Sequence, residues 1–216
     1  EFIHMATKSK KLRLRKISSK TIKPKRTKIL CVSHKEDADG ISSAALIKQA
    51  FGGDTILVDY PGMMDELEAL RNDVKLKKLF ICDVGLNKQT NDSFVDLLTE
   101  LRKKRISVTY VDHHDIDPKV ATKLKKIKVN LIHDISECTA VLVYDAFKKK
   151  LSEHSTFIAA CGAITDYMEN RPIASKLLQI YDRQFALISA TVLTYNIVGH
   201  QRKQDIDYLY YLVDEL

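Results

Sequence analysis

The sequence predicts a doubly wound α/β fold: a mainly parallel five-stranded sheet flanked by helices, with a C-terminal helical extension. Three observations carry this. Short apolar runs alternate with stretches of helical spacing, which implies crossover connections and parallel pairing. The apolar runs are nearly continuous, which implies strands buried on both faces. From Ser136 onward no further strand signal occurs and the chain reads as helix.

The elements follow in order. Residues 28–33 (KILCVS) form a first strand, and Ile41 to Phe51 has helical spacing closed by Gly52-Gly53. Thr55 to Tyr60 is a second strand, stopped by Pro61-Gly62, and Met63 to Asn72 is helical. Leu79 to Cys82 is a third strand. Asn91 to Lys104 is an amphipathic helix with Phe94, Leu97, Leu98 and Leu101 on one face. Ile106 to Val111 is a fourth strand, and Val129 to Ile132 a fifth after a basic helix or loop. Residues 29–170 form the expected core and 171–216 the extension.

Composition narrows the class. At 216 residues and 45% hydrophobic the chain can bury one sizeable core. No apolar run reaches the ~18 residues of a membrane span. The four cysteines lie far apart without a CxxC pair, and read as buried thiols of a cytoplasmic protein. The net charge of +7 is unevenly spread. Residues 1–28 hold 11 Lys/Arg and one acid, whereas 29–216 hold 24 Lys/Arg and 27 acids. The basic character is thus assigned to the tail. Its first four residues, before Met5, read as a vector-derived remnant, and the rest as disordered. Two readings stay open for it: an arm on phosphate backbones, or a solubilising segment.

Chemistry-bearing residues gather where open α/β sheets bind ligands, outside the carboxyl ends of the strands. Strand one runs into His34-Lys35-Glu36-Asp37-Ala38-Asp39-Gly40, strand three into Asp83-Val84-Gly85, and strand four into Asp112-His113-His114-Asp115. Carboxylates converging on one edge repel one another, and hard divalent cations relieve that repulsion. In an extended loop Asp37 and Asp39 project to the same side, so each can hold one ion of a pair. Gly40 then permits a turn into a helix starting near Ile41, where free N–H groups with Ser42 and Ser43 receive a phosphate oxygen. Two metals about 3.5–4 Å apart suit in-line phosphoryl displacement.

These motifs resemble those of the DHH phosphoesterases. Val111-Asp112-His113-His114 looks like the signature that names the family. Residues 33–40 resemble its first motif, 82–85 its second and 160–167 a fourth that ends in a metal-binding Asp. Ser136 to Ala140 resembles the helix start between the last two. The likeness spans roughly residues 29 to 200, nearest to RecJ-like nucleases and oligoribonucleases. It implies that His34, Asp37 and Asp83 hold one divalent cation, Mn or Mg. Asp39, Asp83, His113 and Asp166 hold the other, with Asp83 bridging. It also implies that His114 faces the scissile phosphate and that Asp112 orients the site. Two residues separate His34 from Asp37 where the family has one or three, so Glu36 is an alternative to His34.

The resemblance implies a phosphodiesterase acting on single-stranded DNA, RNA or short oligonucleotides. The alternatives are a pyrophosphatase-type phosphoanhydride hydrolase and a non-enzymatic replication scaffold. The family's smaller C-terminal domain, with its glycine-rich loop, has no counterpart here, so weak or poorly selective hydrolysis is expected. Several residues have plainer readings. His133-Asp134 reads as a turn before Ser136, with substrate contact as the alternative. His154 and His200 read as exposed helix ends, Asp59 has no motif, and Tyr208, Tyr210 and Tyr211 read as packing of the last helix rather than base-stacking groups.

Overall fold

A computed structural model describes residues 29–201 and 205–216. The tail at 1–28 lies outside the described residues. Five strands form one all-parallel sheet: β1 (Ile29–His34), β2 (Asp54–Val58), β3 (Lys78–Cys82), β4 (Ser107–Asp112) and β5 (Asn130–His133). Their spatial order is β2-β1-β3-β4-β5. The order reverses between β1 and β3, and such a switch point opens a crevice at the carboxyl edge of the sheet.

Among the described residues nine α-helices flank the sheet: α1 (Ala38–Phe51), α2 (Met63–Ala69), α3 (Asn91–Lys103), α4 (Pro118–Lys126), α5 (Thr139–Phe147), α6 (Ser155–Thr165), α7 (Pro172–Leu178), α8 (Arg183–Gly199) and α9 (Ile206–Glu215). Strand side chains alternate between two cores, as the period of two requires. Cys31, Leu57, Phe80, Cys82 and Val111 face α1, α5 and α6, with α8 and α9 beyond. Leu30, Val32, Val58, Leu79, Ile81, Val108 and Tyr110 face α2, α3 and α4. The predicted stripe on α3 is fully buried at Phe94, Leu97, Leu98 and Leu101. Cutting any one of them to alanine removes about 2–5 kcal/mol. The basic segment before β5 is a helix, opened by Pro118 behind the N-cap Asp117. All four cysteines are free and buried. No described helix is long and apolar enough to cross a membrane.

The largest departure from expectation lies at α1. It begins at Ala38, three residues before Ile41, because the Asp37 carboxylate accepts the Gly40 N–H (2.9 Å) and caps the helix. Asp39 and Gly40 are therefore helical rather than part of an extended loop. Gly40 serves close approach instead of a turn: a Cβ there would lie 2.3 Å from the His34 carbonyl oxygen. Ser33 completes the junction, its hydroxyl reaching the carbonyls of Gly40 (2.7 Å) and Cys82 (3.2 Å).

His200 also differs from the exposed end expected of it. It is partly buried, stacked on Tyr208 at 3.9 Å. Tyr208 donates to Asn196 and Tyr210 accepts the Leu57 N–H, so both pack α9. Tyr211 stays exposed, as does His154.

Candidate metal centre

Five elements converge on the carboxyl edge. β1 ends at His34, and Asp37 caps α1 with Asp39 in its first turn. Asp83 directly follows β3, Asp112 ends β4 ahead of His113 and His114, and Asp166 is the C-cap of α6. Asp83 adopts a positive φ of 56°, a sparsely populated conformation for a residue with a side chain. Its N–H still joins the ladder by donating to the Val111 carbonyl (3.1 Å), so the turn aims the carboxylate at the neighbouring strand ends.

Two groups with no residue in common take most of these side chains, and Asp83 links them. His34, Asp37 and Asp83 make one: His34 Nδ1 lies 2.8 Å from Asp37 Oδ2 and 3.8 Å from Asp83 Oδ2. Asp39, His113 and Asp166 make the other, with His113 Nε2 at 3.9 Å from Asp39 Oδ2 and 3.4 Å from Asp166 Oδ2. Asp83 reaches this second group too, its Oδ1 lying 3.7 Å from His113 Nε2. His34 therefore stands beside Asp37 and Asp83, while Glu36, the alternative, is exposed and its carboxylate lies 3.4 Å from the far ring nitrogen of His34. Asp83 is further grouped with His113 and His114.

The acids are held by the fold as well as by one another. Both Asp39 oxygens accept N–H groups from the first turn of α5, Thr139 and Ala140, each at 2.8 Å. Helix N-termini favour such a negative partner. Thr139 also donates its hydroxyl to Asp83 Oδ1 (3.1 Å). Gly162 keeps the space open, since a Cβ there would lie 2.8 Å from Ala140 Cβ and 3.1 Å from Asp39 Oδ1.

Charge crowding shows in the titration of the site. Burial, and then the Asp39 charge, lift Asp83 well above the carboxylate range. Burial and Asp37 raise Asp39 to about 6, and burial with Asp39 does the same to Asp166. Burial works against a charged His34, but the bond to Asp37 and the nearby Asp83 carboxylate prevail and lift it to about 10. Burial lowers His113. Asp83 Oδ2 is buried without a hydrogen-bond partner, a costly state for a carboxylate oxygen. An unsatisfied oxygen amid mutually repelling acids and imidazoles fits a cation, and carboxylates with few imidazoles fit a hard divalent one.

His114 and Asp112 form a separate pair. Asp112 is buried and accepts from His114 Nδ1 at 2.8 Å and from the Tyr110 hydroxyl at 2.7 Å. The bond to Asp112 raises His114 to about 9. The other ring nitrogen lies 3.4 Å from the Tyr60 hydroxyl. Gly85 makes room for the ring: a Cβ there would meet its carbon atoms at 3.0–3.2 Å.

Ser42 and Ser43 are not brought to the site. The earlier start of α1 places them in its second turn, fully buried, and Asp37 fills the helix N-terminus intended for phosphate. His133 donates to the His114 carbonyl (2.6 Å) and pins that loop, while Asp134 accepts the Ser136 N–H as the turn reading expected. Asp59 pairs with Lys35 at 2.6 Å. Tyr110, Tyr60 and Glu137 escaped the sequence reading. Glu137 is buried and caps α7 through the Ile173 and Ala174 N–H groups. Tyr110 carried a legible signal, lying two residues before Asp112 on the same strand face.

The crystal structure of an uncharacterized protein from Helicobacter pylori G27 matches with a TM-score of 0.60 and 18% sequence identity. The match covers 88% of this chain and 56% of that one, so the chain spans just over half the length of that protein. The likeness concerns the fold. No curated protein matches the chain. The family model described as DHH family, N-terminal domain, matches residues 28–181. That family includes phosphohydrolases dependent on divalent metals, acting on nucleic acids or phosphoanhydrides. With its motifs gathered on one sheet edge and most of its length matched, the chain belongs to the DHH family.

Proposed function

We propose that the protein is a two-metal phosphodiesterase that hydrolyses single-stranded DNA, RNA or short oligonucleotides in the cytoplasm, with Mn preferred over Mg. The observation that carries this is the shared position of Asp83 between two ligand groups. His34, Asp37 and Asp83 would hold one cation, and Asp39, His113 and Asp166 the other, with Asp83 common to both. Ions so held supply Lewis-acid stabilisation of a phosphoryl oxygen and make water a stronger nucleophile.

The remaining work falls to the chain itself. His114, held protonated by Asp112, offers its other ring nitrogen to the leaving oxygen. Asp112 fixes the orientation of the ring, and Tyr110 fixes Asp112. Tyr60 borders the mouth between the His34 and His114 rings.

A phosphoanhydride reading fits less well. A pocket for a small, highly charged anion needs several free cations closing on it. Beside this edge Lys35 is committed to Asp59. The deciding experiment is Mn-dependent release of nucleotide from end-labelled single strands, run beside an inorganic pyrophosphate assay. Turnover of the strand that disappears with EDTA and in Asp83→Asn is expected. Turnover of pyrophosphate alone would replace the proposal with the phosphoanhydride reading, and strand cleavage indifferent to EDTA would remove the metal mechanism.

A further inference from the structure

We propose that the edge of the sheet opposite the metal centre is a second phosphate-backbone surface, where this chain anchors nucleic acid away from the carboxyl edge. In an all-parallel sheet every segment entering a strand lies on one edge. Here the segments leading into β3, β4 and β5 are strongly basic. Residues 75–78, 102–105 and 123–128 precede β3, β4 and β5, and 148–150 follow α5. Together they hold fourteen Lys/Arg and no acid, out of the 24 Lys/Arg of residues 29–216.

The segments are joined in space. Neighbouring strands lie about 4.8 Å apart, so the three entry loops stand side by side. The Ser107 N–H donates to the Lys77 carbonyl, and the Arg102 side chain donates to the Ile127 carbonyl (3.2 Å). Lys78 and Lys150 share one ring, their Nζ atoms 3.9 and 4.3 Å from the centre of Phe51. Burial, and then the Lys150 charge, hold Lys78 below the ordinary lysine range. The residues before Ile29, with their 11 Lys/Arg, join the described chain at this same edge.

Cations at the ends of α3 and α4 complement the helix dipoles, which accounts for part of the charge. It does not account for the rest. Lys75, Lys77, Lys103, Lys125, Lys126 and Lys149 are exposed and have no carboxylate partner among the described residues. More telling are Arg105 and Lys128. Each follows a helix in the left-handed conformation, with φ of 63°. Each closes its helix with the same pair of backbone bonds, Ile106 N–H to Leu101 and Val129 N–H to Leu124 among them. Glycine is the unstrained residue at that position. The chain places a cation there twice.

Nucleic acid suits this surface better than an anionic membrane does. A membrane-binding face interleaves bulky apolar side chains with its cations. On this edge Ile106 and Val129 are buried, and Val74 is the exposed large hydrophobic beside these segments. The exposed hydrophobics Phe185, Ile188, Val192 and Tyr195 all lie on α8.

The test uses the full-length protein in EDTA, with fluorescein-labelled oligo-dT and anisotropy read across a sodium chloride series. The face variant is Lys103→Glu/Lys126→Glu/Lys149→Glu. A control of equal charge change is Lys88→Glu/Lys176→Glu/Arg183→Glu. The face variant is expected to bind at least tenfold more weakly than the control. Its salt slope should be shallower by about 2, since each lost single-strand phosphate contact removes about 0.7. Equal weakening in the two variants would reduce the effect to net charge and overturn the proposal. So would loss of binding to phosphatidylserine vesicles with oligo-dT binding intact. Arg105→Gly/Lys128→Gly guards against misfolding: a higher Tm with weaker oligo-dT binding is expected. A higher Tm with unchanged binding would show that these two cations serve no ligand.

Discussion

His114 Nδ1 lies 2.8 Å from Asp112 Oδ1, inside a chain that continues from Asp112 Oδ2 to the Tyr110 hydroxyl and on to the Val84 carbonyl (2.8 Å). The chain is anchored in β4 and in the turn after β3, so the imidazole inherits the rigidity of the sheet. Asp112 is buried, and its negative charge is what keeps His114 protonated at neutral pH.

Asp112→Asn keeps the shape and removes the charge. His114 should then titrate well below its present value of about 9, measurable by NMR of the ring protons. Turnover should fall roughly 100-fold or more, the usual weight of a general acid, while Mn affinity changes little. An unchanged titration would show that the Asp112 charge does not control the ring.

Gly85→Ala tests position rather than charge. A new methyl would press the His114 ring at 3.0–3.2 Å, and the ring must give by a few tenths of an ångström. Misplacement on this scale should lower kcat on the order of tenfold without altering the Mn-induced rise in Tm. A fall in KM effects alone, with kcat intact, would place Gly85 outside the proton-donating group.

Parts of this site were legible in the sequence and parts were not, for identifiable reasons. Asp37, Asp83, Asp112, His113 and His114 follow or end apolar strands, and a parallel sheet must bring strand ends to one edge. The start of α1 is not legible because glycine after aspartate resembles a turn, whereas Gly40 answers to the His34 carbonyl across the junction. Moving that start by three residues is what buries Ser42 and Ser43. The charge count misled in another way. A net −3 for residues 29–216 hides two opposed edges, one acidic and one basic, because each basic segment taken alone reads as a solvated helix end.

Asp83→Asn separates the role of the metal from that of the fold. Asparagine tolerates the positive φ of 56° and keeps the Thr139 contact, but removes an ionisable carboxyl from a crowded cluster. The metal-free variant should therefore melt at or above the wild-type temperature. Its Mn-induced stabilisation should vanish, checked by melts with EDTA and with MnCl2. Loss of stability without metal would instead mark Asp83 as a structural carboxylate.

The same crowding fixes a pH dependence. Asp39 and Asp166 sit at about 6, above the ordinary 3.8, and Asp83 too is raised well above it. The folded protein thus holds protons that the unfolded chain releases. Stability from these groups is whole below about pH 4 and is lost as pH rises through about 6. His34 and His114 extend the decline: their contributions are complete below 6.5 and lost as pH passes about 10 and about 9. His113 opposes them, being lowered, and regains stability as pH rises toward 6.5. Asp37 is also lowered, but its contribution is already present above 3.8. The balance above pH 5 is a fall with pH. A bound cation inverts this trend, because it needs ionised carboxylates and a neutral His113. Melting curves with EDTA should therefore decline from pH 5 to 8.5, and curves with MnCl2 should diverge upward from them over the same range. Parallel curves across that range would mean that these acids do not bind the ion.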